Sequence, residues 1–272
     1  MRRTSFWPWF WFGLGVVYFM LPLIATLNFS LRARRGEIGL TAYRNVFADP
    51  QFYQTFGFSA QMALWTILLS ILLLLPTAYW IHLKLPWLRP AVELVTLLPF
   101  VIPGIVLVFG LIRSYARPPL ALTNSTAGTL ALLVAGYVVL SFPYMYRAID
   151  AGLRAIDVRT LTEAAQSLGA GWGTILFRVI LPNVRVALLA GAFLTFAIVI
   201  GELTLAQYLL GGTQAFGPYL ALVGRNKAYE PAALAIISFA LIWAAIGVIQ
   251  LLGQGRAALG PGAARPSDTN AA

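Results

Sequence analysis

Apolar residues along this chain collect in six long runs that carry almost no charge. An α-helix needs about 20 apolar residues to cross the hydrocarbon core of a bilayer, and each run reaches that length. The runs lie at residues 6–29, 56–81, 91–112, 126–146, 184–210 and 231–252. The pattern predicts an all-α, polytopic membrane protein with six transmembrane helices.

Composition agrees with a location in the bilayer. The chain has 272 residues, 60% of them hydrophobic and 10% charged, and its mean hydropathy is +0.80. The formal net charge is +10, but the basic residues are scattered between the apolar runs and form no single face. We therefore expect lipid headgroups as a partner and no nucleic acid. The absence of cysteine excludes a thiolate metal site and a cysteine nucleophile.

The two ends of the chain differ in character. The first apolar run follows Arg2 and Arg3, as in a signal peptide, but it continues uncharged to Leu31 without a small-residue cleavage site, so we predict a retained first helix. Residues 1–252 are expected to form a single transmembrane domain. The tail, residues 253–272, has too few large apolar residues to pack, and we predict that it is disordered.

The longest polar connection, residues 147–185, must lie outside the bilayer. Within it, Thr160 and Glu163 have the spacing of a capping box, which predicts that a helix begins there. Gly169 is placed to end this helix in a left-handed conformation after about two turns. Because so short a helix is unstable alone, it needs a docking surface. Leu168 and Trp172 offer apolar anchors for one.

The stretch EAAQSLGAGWGTILFRVILP resembles the EAA loop of binding-protein-dependent ABC importer permeases. The family pattern is EAA, three residues, Gly, nine residues, Ile, one residue and Leu-Pro. This chain matches it at Glu163, Ala164, Ala165, Gly169, Leu181 and Pro182. Val179 stands in the Ile place and is the one departure.

The resemblance implies a MetI-like permease of a type I importer, with the loop forming a coupling helix that docks on a cytoplasmic ATPase. The implied docking residues are Glu163, Ala164, Ala165, Leu168, Gly169, Trp172, Leu181 and Pro182. It also implies an ATPase dimer, a second permease subunit (a paralogue or a second copy) and an external substrate-binding protein as partners. The implied location is the bacterial inner membrane, with both termini in the cytoplasm. The Lys and Arg count favours that orientation only slightly, because a basic cluster at 32–35 opposes it.

The chain is not expected to be an enzyme or to hold a cofactor. It has no Gly-rich loop followed by Lys-Ser or Lys-Thr that could hold nucleotide phosphates, so ATP hydrolysis would belong to a separate partner. The segment ELTLAQYLL is most similar to the second permease subunit of spermidine/putrescine systems. Related subunits carry ferric iron, thiamine or phosphonate, and the substrate stays open.

Glu202 is the one intramembrane carboxylate that stands out from the apolar runs. A charged side chain inside a span costs about 3 kcal/mol on insertion scales, so we expect it either to line the translocation path or to brace neighbouring helices. A stand-alone secondary transporter or channel is the alternative function, but it would need several such polar sites. A membrane enzyme would need clustered acidic or histidine residues on facing helices.

Other polar and proline residues receive structural interpretations. Glu93 is expected to pair with Arg89, four residues earlier, and His82 is expected to pack at the membrane interface. Pro99 and Pro103 lie inside the third apolar run and predict a kink there.

Overall fold

The computed structural model describes residues 6–32 and 38–254, and the described residues form helices joined by turns, with no strand among them. In chain order the α-helices are α1 (Phe6–Ser30), α2 (Thr41–Ala48), α3 (Pro50–Lys84), α4 (Arg89–Val101), α5 (Gly104–Tyr115), α6 (Thr126–Arg154), α7 (Val158–Ser167), α8 (Trp172–Thr174), α9 (Leu181–Asn183), α10 (Arg185–Gly201), α11 (Thr204–Leu210), α12 (Phe216–Asn226) and α13 (Glu230–Gln254). A π-helical segment, Ile175–Ile180, joins α8 to α9. Of the predicted disordered tail, residues 255–272 lie outside the described residues.

Three of these helices are individually long and apolar enough to cross a membrane: Trp7–Ser30, Pro50–Lys84 and Thr126–Arg154. The N-terminal ends of α3 and α6 are each fixed by a side-chain cap. Asp49 accepts a hydrogen bond from the amide of Gln51 at 2.9 Å, and Ser125 accepts one from the amide of Gly128 at 3.1 Å. Each cap satisfies an amide that has no partner within its own helix.

Two further pairs of apolar helices are each bent at a short break, as in a broken span or a re-entrant loop. Pro86–Val101 and Gly104–Tyr115 meet at 99°, and Trp172–Asn183 and Arg185–Gly201 meet at 78°. If each pair is one span, the described part of the chain has up to five spans. In α13 the apolar stretch Glu230–Ala244 is shorter than a full span. The count of six therefore remains a prediction.

The kink expected in the third apolar run is confirmed as a complete break. Ile102 has an extended backbone, with φ −87° and ψ 114°, and Pro103 precedes the first residue of α5. A residue before proline is disfavoured in the α conformation, and proline cannot donate an amide hydrogen bond, so the helix ends here. Pro99 lies within α4 and does not interrupt it.

The core is formed by α3, α6 and α10, which pack together along their lengths. Small residues allow α6 and α10 to approach closely: a Cβ at Gly191 would lie 2.9 Å from the sulfur of Met145 and 3.0 Å from the Cβ of Ala148. The hydroxyls of Ser70 and Ser141 are 2.9 Å apart across α3 and α6, and both side chains are buried. Close backbone approach and paired hydroxyls are typical of helix packing in membranes.

Candidate functional site

Helix α7 lies in the predicted docking loop, and its start differs from the capping-box prediction. Asp157 is the N-cap: its carboxylate accepts hydrogen bonds from the amide of Thr160 at 3.1 Å and from the hydroxyl of Thr160 at 2.7 Å. These bonds stabilise the ionised form and hold the pKa of Asp157 below its usual value. The prediction that the helix begins at Thr160 is therefore wrong, because the carboxylate three residues earlier is the cap and Thr160 lies inside the helix.

Glu163 consequently serves no cap. Its carboxylate lies 2.8 Å from Nε of Arg159, one turn earlier, and both side chains are largely exposed. An exposed ion pair of this kind contributes little to stability. Glu163 is thus free to face a partner protein.

Gly169 terminates helix α7 in a left-handed conformation, as the sequence predicted. Gly169 has φ +77°, its amide donates to the carbonyl of Gln166 at 2.9 Å, and the amide of Ala170 donates to the carbonyl of Ala165 at 3.0 Å. This pair of bonds is a Schellman motif, which needs a left-handed residue and therefore favours glycine. The helix has ten residues, nearly three turns, where about two were predicted.

The two faces of α7 have different surroundings. Val158, Thr162 and Ala165 are buried against the body of the protein, and the hydroxyls of Thr162 and Tyr79 are 2.9 Å apart. Ala164 is exposed, and so is Leu168, whose exposed fraction is 89%. Only Ala164 of the alanine pair thus faces outward. We define the outward face of α7 as Glu163, Ala164 and its C-cap residue Leu168. This face is exposed and largely apolar, and the charge of Glu163 is paired with Arg159 of the same helix.

The other residues of the predicted docking set lie beyond this face. Trp172 stacks on Trp80, with ring centroids 4.8 Å apart, and remains 44% exposed. Leu181 is half-buried and packs against the core, whereas Pro182 is exposed at the start of α9. Much of the surface of Trp172 and Leu181 is therefore used in contacts that hold the loop against the body of the protein.

A group of charged side chains that sequence reasoning did not bring together lies between α3, α4 and α6. Asp150 is buried and lies 2.8 Å from Nε2 of His82, 2.8 Å from Nη2 of Arg89 and 2.6 Å from Nη2 of Arg154. Glu93 pairs with Arg89 at 3.3 Å, as predicted, and with Arg154 at 3.1 Å. We call these five residues the Asp150 cluster.

The cluster corrects the interpretation of His82, because Nε2 of its ring is hydrogen-bonded to the carboxylate of Asp150. The sequence contained two signals, the i,i+4 spacing of Arg89 and Glu93, which was predicted, and that of Asp150 and Arg154 on α6, which was not. It contained none for the contacts between helices, which join residues 61 and 68 positions apart.

Glu202 lies at a helix break, where the sequence predicted a continuous span. Helix α10 ends at Gly201 and α11 begins at Thr204. The carboxylate of Glu202 accepts hydrogen bonds from the amides of Thr204, Leu205 and Ala206 at 2.7, 2.9 and 3.2 Å. A carboxylate satisfies the free amides at a helix start and favours the break. These bonds are local to the break, and whether Glu202 lines the translocation path or braces neighbouring helices stays a prediction.

Comparison with known proteins places this arrangement in a family. The family model described as "Binding-protein-dependent transport system inner membrane component" matches residues 82–256, which is more than half of the chain and includes all of α7 and the broken third span from α4 onward. The chain belongs to this family. It is a permease subunit of an ABC importer, a multi-pass protein of the bacterial inner membrane, and not an enzyme by itself.

Curated relatives carry several cargo names. The spermidine/putrescine permease PotB of Haemophilus influenzae is 25% identical over 220 residues, covering 75% of this chain and 76% of that protein. The molybdenum permease ModB of Escherichia coli is 31% identical over 159 residues, covering 53% and 68%. A probable ABC transporter permease of Sinorhizobium fredii, y4fN, is 31% identical over 164 residues, 59% of this chain, and the match spans only 28% of that longer relative.

Solved structures agree on the fold. A bacterial ABC transporter that imports the acidic polysaccharide alginate superposes with a TM-score of 0.66 at 13% identity, covering 91% of this chain and 96% of that one. An amino acid ABC transporter superposes with a TM-score of 0.52 at 17% identity, covering 80% and 100%. The fold is therefore that of an ABC importer permease.

Proposed function

We propose that this chain forms half of a translocation path together with a second permease subunit, and that α7 docks on a cytoplasmic ATPase dimer. The observation that carries the proposal is the outward face of α7. Leu168 is 89% exposed on a helix whose other face is fastened to the body of the protein. An exposed apolar side chain beside a small residue fits a groove in a partner.

The attachment of α7 supports a coupling role. The bond between Thr162 and Tyr79 and the stacking of Trp172 on Trp80 both join the docking loop to α3, one of the core helices. A helix held in this way would move with the body when the ATPase moves. Closure of two ATPases would then bring the two docking helices together and open the path to alternate sides.

The remaining features of the proposal follow from the same orientation. With α7 in the cytoplasm and six spans, both termini are cytoplasmic, and ATP is hydrolysed by the separate partner. The alginate transporter was solved with an alginate pentasaccharide-bound periplasmic protein. That complex supports an external binding protein as the component that delivers substrate to this chain.

We propose a small polar solute or ion as the cargo, selected by the binding protein. Relatives are named for spermidine/putrescine, molybdenum and ferric transport. Polyamine, ferric iron, thiamine and phosphonate are the candidates to test, and the second permease subunit is either a paralogue or a second copy of this chain.

The test of docking is purification of the chain from its native host in mild detergent, with identification of the proteins that remain bound. Leu168→Arg is expected to lose the ATPase while still inserting in the membrane. Leu120→Arg is the matched control. Leu120 is also an exposed leucine, but it lies near the N-terminal end of α6, whereas α7 follows the C-terminal end. If wild type retains no ATPase, the proposed docking of this chain on an ATPase is contradicted. If Leu168→Arg retains it unchanged, α7 is not the docking helix.

A further inference from the structure

We propose that Asp150 is a positioning residue that links movement of α7 to the broken third span, α4 and α5. This inference rests on the proposed docking role of α7. It concerns how a displacement at the outward face of α7 reaches helices that α7 does not itself hold. Three consecutive polar contacts connect them.

The first contact joins α7 to α3. The hydroxyls of Thr162 and Tyr79 are 2.9 Å apart in a buried environment. A hydrogen bond between buried hydroxyls is costly to leave unmade, so the two helices keep this contact when either moves.

The second contact joins α3 to α6 less than one turn further along α3. His82 Nε2 lies 2.8 Å from Oδ1 of Asp150, and both side chains are at most 13% exposed. The last turn of α3 and the end of α6 are thus held at the same carboxylate.

The third contact joins α6 to α4. Nη2 of Arg89 donates to both oxygens of Asp150, at 2.8 and 3.0 Å. Arg89 is the first residue of α4, whose other end is the break at Ile102. A helix of 13 residues is about 20 Å long, so a small rotation at Arg89 becomes a larger displacement at the break.

The cluster borders a gap between α4 and α6. A cavity of about 320 Å³ lies between them, lined in part by Thr96, Leu97 and Tyr146. Val92 of α4 packs against the core near this gap, so the ion pairs of Asp150 act together with apolar contact in holding the two helices. Removing the carboxylate would leave the charge of Arg89 without its main partner.

A cluster that only stabilises the fold would show the same contacts, so the test must measure relative movement. The chain has no cysteine, which allows spin labels at introduced sites without background. Leu94→Cys reports on α4 and Phe177→Cys on the segment that follows α7, and both native side chains are exposed. Distances between the labels are measured by double electron–electron resonance in lipid nanodiscs, without nucleotide and after trapping with ATP and vanadate.

In wild type we expect a narrow distribution of label-to-label distances in both states, because α4 moves together with the docking loop. Asp150→Asn should retain the ATPase but give a distribution about twofold wider, since a broken buried ion pair releases α4. Arg147→Gln is the matched control: it removes an exposed charge from the same helix, and Arg147 makes no ion pair with any described residue. It should behave as wild type.

Arg89→Lys is a second variant that keeps the charge but not the planar fork of arginine, and it should widen the distribution less than Asp150→Asn. The proposal is overturned if both variants keep the wild-type width, if Asp150→Asn loses the ATPase, or if neither variant accumulates in the membrane. Absence of the ATPase from wild type would instead overturn the docking function itself. The two failures are thus distinguished.

Discussion

Replacing Gly169 by alanine isolates the backbone requirement at the end of α7. Gly169 has φ +77°, and a Cβ added there would meet nothing within 4 Å. Steric overlap with a neighbouring side chain is therefore absent, and the whole cost is the left-handed conformation of an L-residue, about 1–2 kcal/mol. We expect Gly169→Ala to unwind the Schellman end that sets the position of Leu168.

The assay is the affinity of purified ATPase for the permease in nanodiscs. If the ATPase binds only the conformation in which the Schellman end of α7 is formed, a strain of about 1.4 kcal/mol at residue 169 weakens binding about tenfold. Gly169→Asn should lose less, because asparagine tolerates the left-handed region.

Gly171→Ala is the control for this prediction. Gly171 has φ −77° and ψ 164°, and a Cβ there also meets nothing within 4 Å, so alanine fits without strain. Equal ATPase affinity for Gly169→Ala and Gly171→Ala would refute the reasoning.

Three further substitutions test other parts of the structure. Tyr79→Phe removes the bond to Thr162 and should lower the free energy of unfolding by about 0.5–1.5 kcal/mol, measured by thermal denaturation in detergent. Gly191→Leu forces a side chain against Met145 and should destabilise the α6–α10 contact by about 1–3 kcal/mol in the same assay. Asp157→Ala should speed hydrogen exchange of the first amides of α7 at neutral pH.

The controls for these predictions differ. For Gly191→Leu the control is Gly57→Ala, which should not lower the melting temperature because a Cβ at Gly57 meets nothing within 4 Å. An equal loss in Gly57→Ala and Gly191→Leu would contradict the packing argument, and an unchanged melting temperature in Tyr79→Phe would contradict the buried bond.

The effect of Asp157 has a defined pH dependence. Its folded pKa lies below the unfolded value, so its stabilising effect is present above the unfolded pKa and is lost as pH falls through the folded pKa. The difference in exchange between wild type and Asp157→Ala should therefore disappear in acid. A difference that persists there would assign the protection to something other than the ionised carboxylate.

Some features of this protein depend only on properties of neighbouring residues, and these were predictable. Long apolar runs form helices in a bilayer because every backbone polar group must be satisfied within the segment. Pro103 breaks the third run because it lacks an amide proton, and Gly169 ends α7 because glycine accepts a positive φ. The spacing of the EAA loop was enough to indicate the family that the comparison then showed.

Where two local interpretations competed, only the structure separated them. Thr160 was predicted as the cap, and the structure instead has Asp157, whose carboxylate accepts from both the amide and the hydroxyl of Thr160. Glu202 was compatible with a continuous span until its three amide partners placed it at a break. In both cases the deciding contacts are hydrogen bonds from groups two to four residues further along the chain.

The helical membrane class, the family indicated by the EAA loop and the left-handed end at Gly169 follow from the sequence alone. Tertiary structure alone decided which face of α7 is outward, that Ala165 is buried, and that His82, Arg89 and Asp150 meet. The reason is distance along the chain: these ion pairs join residues more than 60 positions apart, and their existence depends on how α3, α4 and α6 pack.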